Sequence, residues 1–228
     1  SRVPLLQVCS TRNQIRYNLG MDTGPILIVE DIPYLLELME VTLKYKGYPV
    51  VTARDGDEAL TMISLEKPAL ILTDVLMPKL DGFAFAHKIR SNPKTQDIPI
   101  IFVSATYISE PDKAFAMSLG AVRFLEKPVE AEELLLTVAE VLTQDPSTLP
   151  PPISNADFYR GYQERLEAKL ADKSEQISRA KRLVDTVPDE QRPMFEALLV
   201  QTEVQRGQLE AELETVQTRL DQGAVTEP

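Results

Sequence analysis

The chain is 228 residues long, 43% hydrophobic and 26% charged, with a formal net charge of −11. An excess of acid without a basic patch argues against nucleic acid or an anionic membrane as partner, because nothing is present to replace the counterions those surfaces carry. The single cysteine, Cys9, permits no internal disulfide, and no apolar run approaches the roughly 20 residues that cross a bilayer, so a cytoplasmic setting is expected.

Residues 1–22 show neither a helical nor a strand period and are read as an N-terminal arm or leader of unknown role, with Met21 a candidate natural start. From Pro25 onward, five short apolar runs at 26–29, 50–53, 70–73, 100–103 and 123–125 alternate with amphipathic stretches near 34–46, 56–65, 82–90, 111–119 and 131–142. Parallel strands need a crossover of a dozen or more residues, usually a helix, so this alternation predicts an α/β, doubly wound domain over 23–144. The runs ILIV, LILT and IIFV are apolar without alternation, as strands covered on both faces are.

In such sheets ligands gather outside the carboxyl ends of the strands, so the residues just after each run are where chemistry is sought. Glu30 and Asp31 follow the first run, Asp74 ends the third, Ser104-Ala105 follow the fourth and Lys127-Pro128 the fifth. Taken singly these are a helix start, a strand-end acid and a turn. Together they place three carboxylates, a hydroxyl and an ammonium on one rim. Clustered carboxylates raise one another's pKa unless a cation neutralises them, and oxygen-only donors suit a hard divalent ion such as Mg²⁺. A carboxylate flanked by that metal and by Lys127 is equipped to take a phosphoryl group, with charge on the equatorial oxygens neutralised during transfer.

The set Glu30-Asp31, Asp74-x-x-Met77-Pro78-x-x-Asp81-Gly82, Ser104-Ala105 and Lys127-Pro128, with Asp55-Gly56-x-Glu58-Ala59-Leu60 at the second helix, resembles the signature of two-component response-regulator receiver domains. The resemblance spans about 25–142. It implies a flavodoxin-like five-stranded parallel sheet of order 2-1-3-4-5. It also implies Asp74 as phospho-acceptor, Glu30 and Asp31 as the metal-holding pair, and the backbone carbonyl of Leu76 as a further Mg²⁺ ligand. Lys127 would contact the phosphoryl group, and Ser104 and Phe124 would be the switch residues. The Lys127-Pro128 bond resembles one that is normally cis in the family. Leu76 and Thr106 occupy places that tune access of the hydrolytic water, and an apolar Leu76 predicts a long phosphoryl lifetime.

Other residues receive ordinary readings. His87 is expected near the solvent side of the third helix, and no second histidine exists to complete a two-histidine metal site. Met77, Phe115 and Met117 are expected to pack, and no glycine-rich phosphate loop follows the first strand.

Residues 145–153 form a proline-rich linker and 154–228 a tail rich in helix formers, with two long helices expected over 157–187 and 189–222. In the first, Tyr159, Leu166, Leu170, Ile177, Ala180, Val184 and Val187 follow a coiled-coil seam interrupted by Lys173. In the second, Phe195, Leu199, Leu209, Leu213, Val216 and Leu220 do so, with Thr202 and Arg206 at seam positions. Val187-Pro188-Asp189-Glu190 permits either a hairpin or a kinked continuous coil. A homodimer through the tail is expected.

The leading reading is a response regulator, not an enzyme, that receives a phosphoryl group from a histidine kinase and signals to a downstream protein by contact. One rival is a haloacid-dehalogenase-like phosphohydrolase, which would need an acid where Leu76 stands. The other is a dimeric adaptor that is never phosphorylated.

Overall fold

Runs of β-branched residues and leucine favour extended backbone and have to be covered on both faces, which sets where the sheet lies. The computed structural model describes residues 24–105, 110–144 and 149–221. In it β1 (Ile26–Val29), β2 (Val50–Ala53), β3 (Leu70–Asp74), β4 (Ile100–Ala105) and β5 (Arg123–Lys127) form one sheet in the order β2-β1-β3-β4-β5. Every neighbouring pair is parallel. The chain steps to one side of β1 for β2 and to the other for β3, so the crevice between β1 and β3 is the topological switch point.

The crossovers are α1 (Pro33–Tyr45), α2 (Gly56–Leu65), α3 (Gly82–Ser91), α4 (Glu110–Ser118) and α5 (Ala131–Thr143). Pro33 opens α1, where its missing N–H would have had no partner in any case. Asp55 caps α2 by accepting from the N–H groups of Asp57 (3.1 Å) and Glu58 (2.9 Å), and Asp81 caps α3 by accepting from Ala84 N (2.8 Å).

Side chains alternate across the sheet. One face, with Ile26, Ile28, Leu70, Leu72, Ile101, Val103 and Leu125, is covered by Met39 and Leu43 of α1 and by Leu134, Val138 and Val141 of α5. On the other face Phe102 meets Phe83 of α3 at 5.2 Å between ring centroids, and Phe83 meets Phe115 of α4 at 5.4 Å.

Three strands run one or two residues further toward the site than their apolar runs. The ladder depends on backbone groups, not on side-chain polarity, so it continues through Asp74 opposite Val103, Ser104 opposite Glu126 and Ala105 opposite Lys127. Two expectations are corrected. His87 is only 7% exposed, because α3 is enclosed over nearly its whole length and keeps little solvent side. Met117 lies exposed on α4 instead of packing.

The chain divides into two compact units after Pro152. The second holds α6 (Asn155–Thr186), capped by Ser154 accepting from Asp157 N at 3.1 Å, and α7 (Arg192–Asp221). Its second helix begins three residues after the expected start, since Pro188–Gln191 form the turn. Lys173 Nζ donates to Gln205 Oε1 at 2.9 Å and Lys181 lies 3.3 Å from Glu203, while Tyr162 donates to Glu212. Partners rise on one helix as they fall on the other, so the two helices are an antiparallel hairpin. Among the described residues no helix is long and apolar enough to cross a membrane.

Candidate functional site

The backbone after β1 turns into α1 immediately, so Glu30 is drawn under the rim and Asp31 is left at its opening. Glu30 is fully buried and accepts from Ile32 N at 3.3 Å. Asp31 does not cap α1, whose capping residue is Ile32 and makes no side-chain cap bond, so the bland helix-start role for this acid is not realised. At the end of β3, Asp74 (7% exposed) has one oxygen, Oδ1, held by the N–H groups of Val75 (2.6 Å) and Leu76 (3.3 Å). Its other oxygen, Oδ2, meets Lys127 Nζ at 2.7 Å. Lys127 also donates to Glu30 Oε2 at 2.6 Å, and the peptide bond that follows it, to Pro128, is cis.

Carboxylate oxygens of Glu30, Asp31 and Asp74 lie within 4.8 Å of one another. Three carboxylates against one ammonium leave an uncompensated negative charge in a poorly solvated place. Burial, and after it the attraction of Lys127 set against the repulsion of Asp74, leaves the Glu30 carboxyl above the usual carboxylate range. Burial and Asp74 push Asp31 the same way. Desolvation is the strongest influence on Lys127 and opposes its charge, yet its hydrogen bonds to Asp74 and Glu30 and the attraction of both carboxylates together outweigh it and raise its pKa. The donor set is oxygen only and carries excess negative charge, which fits a hard divalent cation.

The loop that follows Asp74 is held from both ends. Gly82 donates its N–H to Val75 O at 3.0 Å, and a Cβ on Gly82 would come within 2.1 Å of Asp74 O, so only glycine lets α3 start this close to β3. At the far side, Lys79 stands at φ 66° and bridges to Asp55 Oδ2 at 2.5 Å. The Lys79 hydrogen bond holds the Asp55 carboxyl below its ordinary range.

Ser104 reaches the same rim from β4, one residue beyond the partner of Asp74 in the ladder. Its Oγ is buried and has no hydrogen-bond partner among the described residues. Phe124 of β5 is half-buried with its ring 6.5 Å from that of Phe102. Leu76 is 53% exposed beside Asp74. Thr106 lies outside the described residues, as do Cys9 and the rest of 1–22.

Every other residue expected at the site is therefore found at this end of the sheet. The Asp55–Lys79 bridge was not anticipated, since nothing in sequence links a helix-capping acid to a lysine in a later turn. In the sequence Gly82 is legible only as the last residue of the Asp74–Gly82 motif, not as a steric requirement.

The family model described as response regulator receiver domain matches residues 26–139. Among curated proteins, the chain is 40% identical over 124 residues to a probable transcriptional regulator ycf27 of Cyanophora paradoxa, covering 54% of this chain and 50% of that protein. It is 32% identical over 142 residues to the DNA-binding dual master transcriptional regulator RpaA of Synechocystis sp., covering 55% and 58%. The chain thus spans about half the length of the curated relatives it matches. Among solved structures, a response regulator from Chloroflexus aurantiacus is similar with a TM-score of 0.51 and 32% identity over 54% of this chain and 100% of that one. The chemotaxis protein CheY4 of Vibrio cholerae gives 0.50 and 33% over 52% and 98%.

Proposed function

Because this chain belongs to the response regulator receiver domain family, we propose that it accepts a phosphoryl group from a histidine kinase on Asp74, with Mg²⁺, and signals by protein contact. The observation that carries this reading is the buried Asp74 carboxylate with one oxygen tied to backbone N–H groups and the other turned to Lys127.

Asp74 Oδ2 is the nucleophile: it bonds to phosphorus as the bond from phosphorus to the donor imidazole nitrogen breaks, and the histidine leaves. Lys127 Nζ, released from Oδ2, follows the charge onto the phosphoryl oxygens while its bond to Glu30 keeps the ammonium aimed. Glu30, Asp31, Asp74 and the carbonyl of Leu76 would hold Mg²⁺, which supplies charge neutralisation for the transferring group. Ser104 Oγ, buried without a partner among the described residues, supplies a hydroxyl to bond the arriving phosphoryl group. Phe124 turns inward as it does so, altering the surface of α4, β5 and α5, where Lys113 and Glu126 are bridged at 2.5 Å.

The donor must approach the open side of the rim. Tyr34, Leu38, Val41 and Tyr45 form an exposed apolar stripe along α1, which begins two residues after Asp31, and we assign donor docking to it. The stretch 23–144 acts as receiver, 145–153 as linker and the tail of 154–228, with its hairpin of α6 and α7, as the contact and dimerisation module. DNA binding, in the name of one relative, belongs to that protein; a net charge of −11 is unfavourable to contact with a phosphate backbone.

A phosphohydrolase reading is disfavoured by Leu76, an exposed apolar side chain where the second acid would stand. The same residue offers no group to orient water, so the phosphoryl group is retained. The test is transfer of labelled phosphate from a histidine kinase: Leu38→Glu should slow that transfer while leaving labelling by a small acyl phosphate unchanged, and Asp74→Ala should abolish both. Labelling of Asp74→Ala equal to wild type would defeat the reading.

A further inference from the structure

The α7 helix carries two seams, and only one is used by the hairpin. The inner one, Phe195, Leu199, Thr202, Arg206, Leu209, Leu213, Val216 and Leu220, faces α6 and is buried or half-buried. Two residues earlier, and so about 200° round the helix, Pro193, Ala197, Val200, Val204, Gly207 and Ala211 follow the same alternating steps of four and three. Val200 is 61% and Val204 57% exposed. The outward face of α6, by contrast, is polar, with Glu164, Glu175, Ser178 and Arg182 exposed.

Gly207 sharpens the point. Glycine in mid-helix weakens the helix relative to alanine, and a Cβ there would meet nothing within 4 Å, so nothing in the hairpin calls for it. A second helix that must come close does call for it, as do Ala197 and Ala211 on the same seam. The flanks then choose the partner. Glu196, Glu203 and Glu210 line one border at seven-residue intervals, and Gln201, Gln208 and Thr215 line the other. In a parallel pair of identical helices each Glu faces the residue five positions further along the partner, which places Glu196 with Gln201, Glu203 with Gln208 and Glu210 with Thr215. Each pair joins a carboxylate to an amide or hydroxyl donor. In an antiparallel pair the glutamates would face one another and repel. Glu203 and Glu210 also meet Lys181 (3.3 Å) and Arg206 (3.4 Å) within their own chain, in exposed contacts that leave acceptor capacity for a partner.

We propose that the outer face of α7 is a homodimer interface, in which Ala197, Val200, Val204, Gly207 and Ala211 pack against the same residues of a second copy in parallel register. The proposal deepens the reading of the tail as a dimerisation module and rests on it. It does not depend on phosphorylation.

The test uses the full, unphosphorylated chain in sedimentation equilibrium at micromolar concentrations. Wild type should run as a dimer. The double variant Val200→Glu with Val204→Glu should run as a monomer with unchanged helical circular dichroism. Gly207→Leu distinguishes contact from folding: it should raise the thermal stability of the hairpin while weakening the dimer about tenfold or more, about 1.4 kcal/mol. In a Cys9→Ser background, Ala197→Cys and Ala211→Cys should each form a disulfide-linked dimer alone, as parallel register requires. A monomeric wild type, a dimer that survives the double glutamate variant, or cross-linking only when the two cysteine variants are mixed would each overturn the proposal. Failure of Asp74 to accept phosphate would leave the expected dimer unchanged, so the two readings fall separately.

Discussion

The receiver unit and the helical hairpin solve the burial problem in opposite ways. In the receiver, the three inner strands β1, β3 and β4 and the helices against them enclose large side chains fully, and Glu30, Asp74, Ser104 and, nearly so, Lys127 are enclosed with them. In the hairpin, one thin seam is shared between two helices of 32 and 30 residues, and much of each helix stays in water. Buried charge gives the receiver a strained electrostatic site that a phosphoryl group and a cation can change. A thin seam leaves the hairpin with apolar side chains such as Val200 and Val204 exposed.

That contrast can be broken by mutation. Leu72→Ala in β3 should lower the unfolding free energy of the receiver by about 2–5 kcal/mol, as cavity-forming changes in full enclosure do. Leu209→Ala in the half-buried seam should cost about 1 kcal/mol, since only part of its methylene groups leave water on folding. Equal shifts in urea midpoints would erase the distinction.

Lys127→Met removes the ammonium from two buried carboxylates and should cost about 3 kcal/mol at neutral pH. The sign with pH follows from burial. Without Lys127 the Glu30 carboxyl, already held above its ordinary range by burial, rises further, so the folded state binds more protons and the loss shrinks as pH falls through that raised value. A deficit unchanged between neutral and acid pH would mean that the charges were not the cause.

The Asp55 site separates cap from bridge. Asp55→Ala should cost about 1 kcal/mol through loss of the α2 cap, while Asp55→Asn keeps an acceptor and loses only the link to Lys79. Because the folded Asp55 carboxyl is held below its ordinary range, its contribution is present above the unfolded pKa of about 3.9 and is lost as pH falls through the folded value. Stability of Asp55→Asn should therefore converge on wild type in acid. The smallest effect is expected at Lys67, whose pair with Asp97 at 2.7 Å is exposed on both sides. Lys67→Ala should change stability by less than about 0.5 kcal/mol.

Much of the receiver was legible because its signals are strong and local. Five short apolar runs, three of them continuous, marked the strands, and the residues at their ends were Glu30, Asp31, Asp74, Ser104 and Lys127. What escaped was decided by packing across distance. The enclosure of His87 follows from how deeply α3 sinks between its neighbours, which helical periodicity does not measure. The bridge from Lys79 to Asp55 joins two turns that only the fold brings together. In the tail, apolar spacing identified the inner seam of α7, whereas the outer seam of small residues gave a weak hydropathy signal and stood out only once the inner seam was seen to be occupied.

The proposed receiver function rests on Asp74 being the acceptor. Exposing the chain to a small acyl phosphate with Mg²⁺ and then reducing it with borohydride converts an aspartyl phosphate into homoserine at its own position. Peptide mass spectrometry should find homoserine at position 74, and none when Mg²⁺ is withheld by a chelator. Homoserine at position 31 or 81 instead, or none at 74 with Mg²⁺ present, would contradict the account.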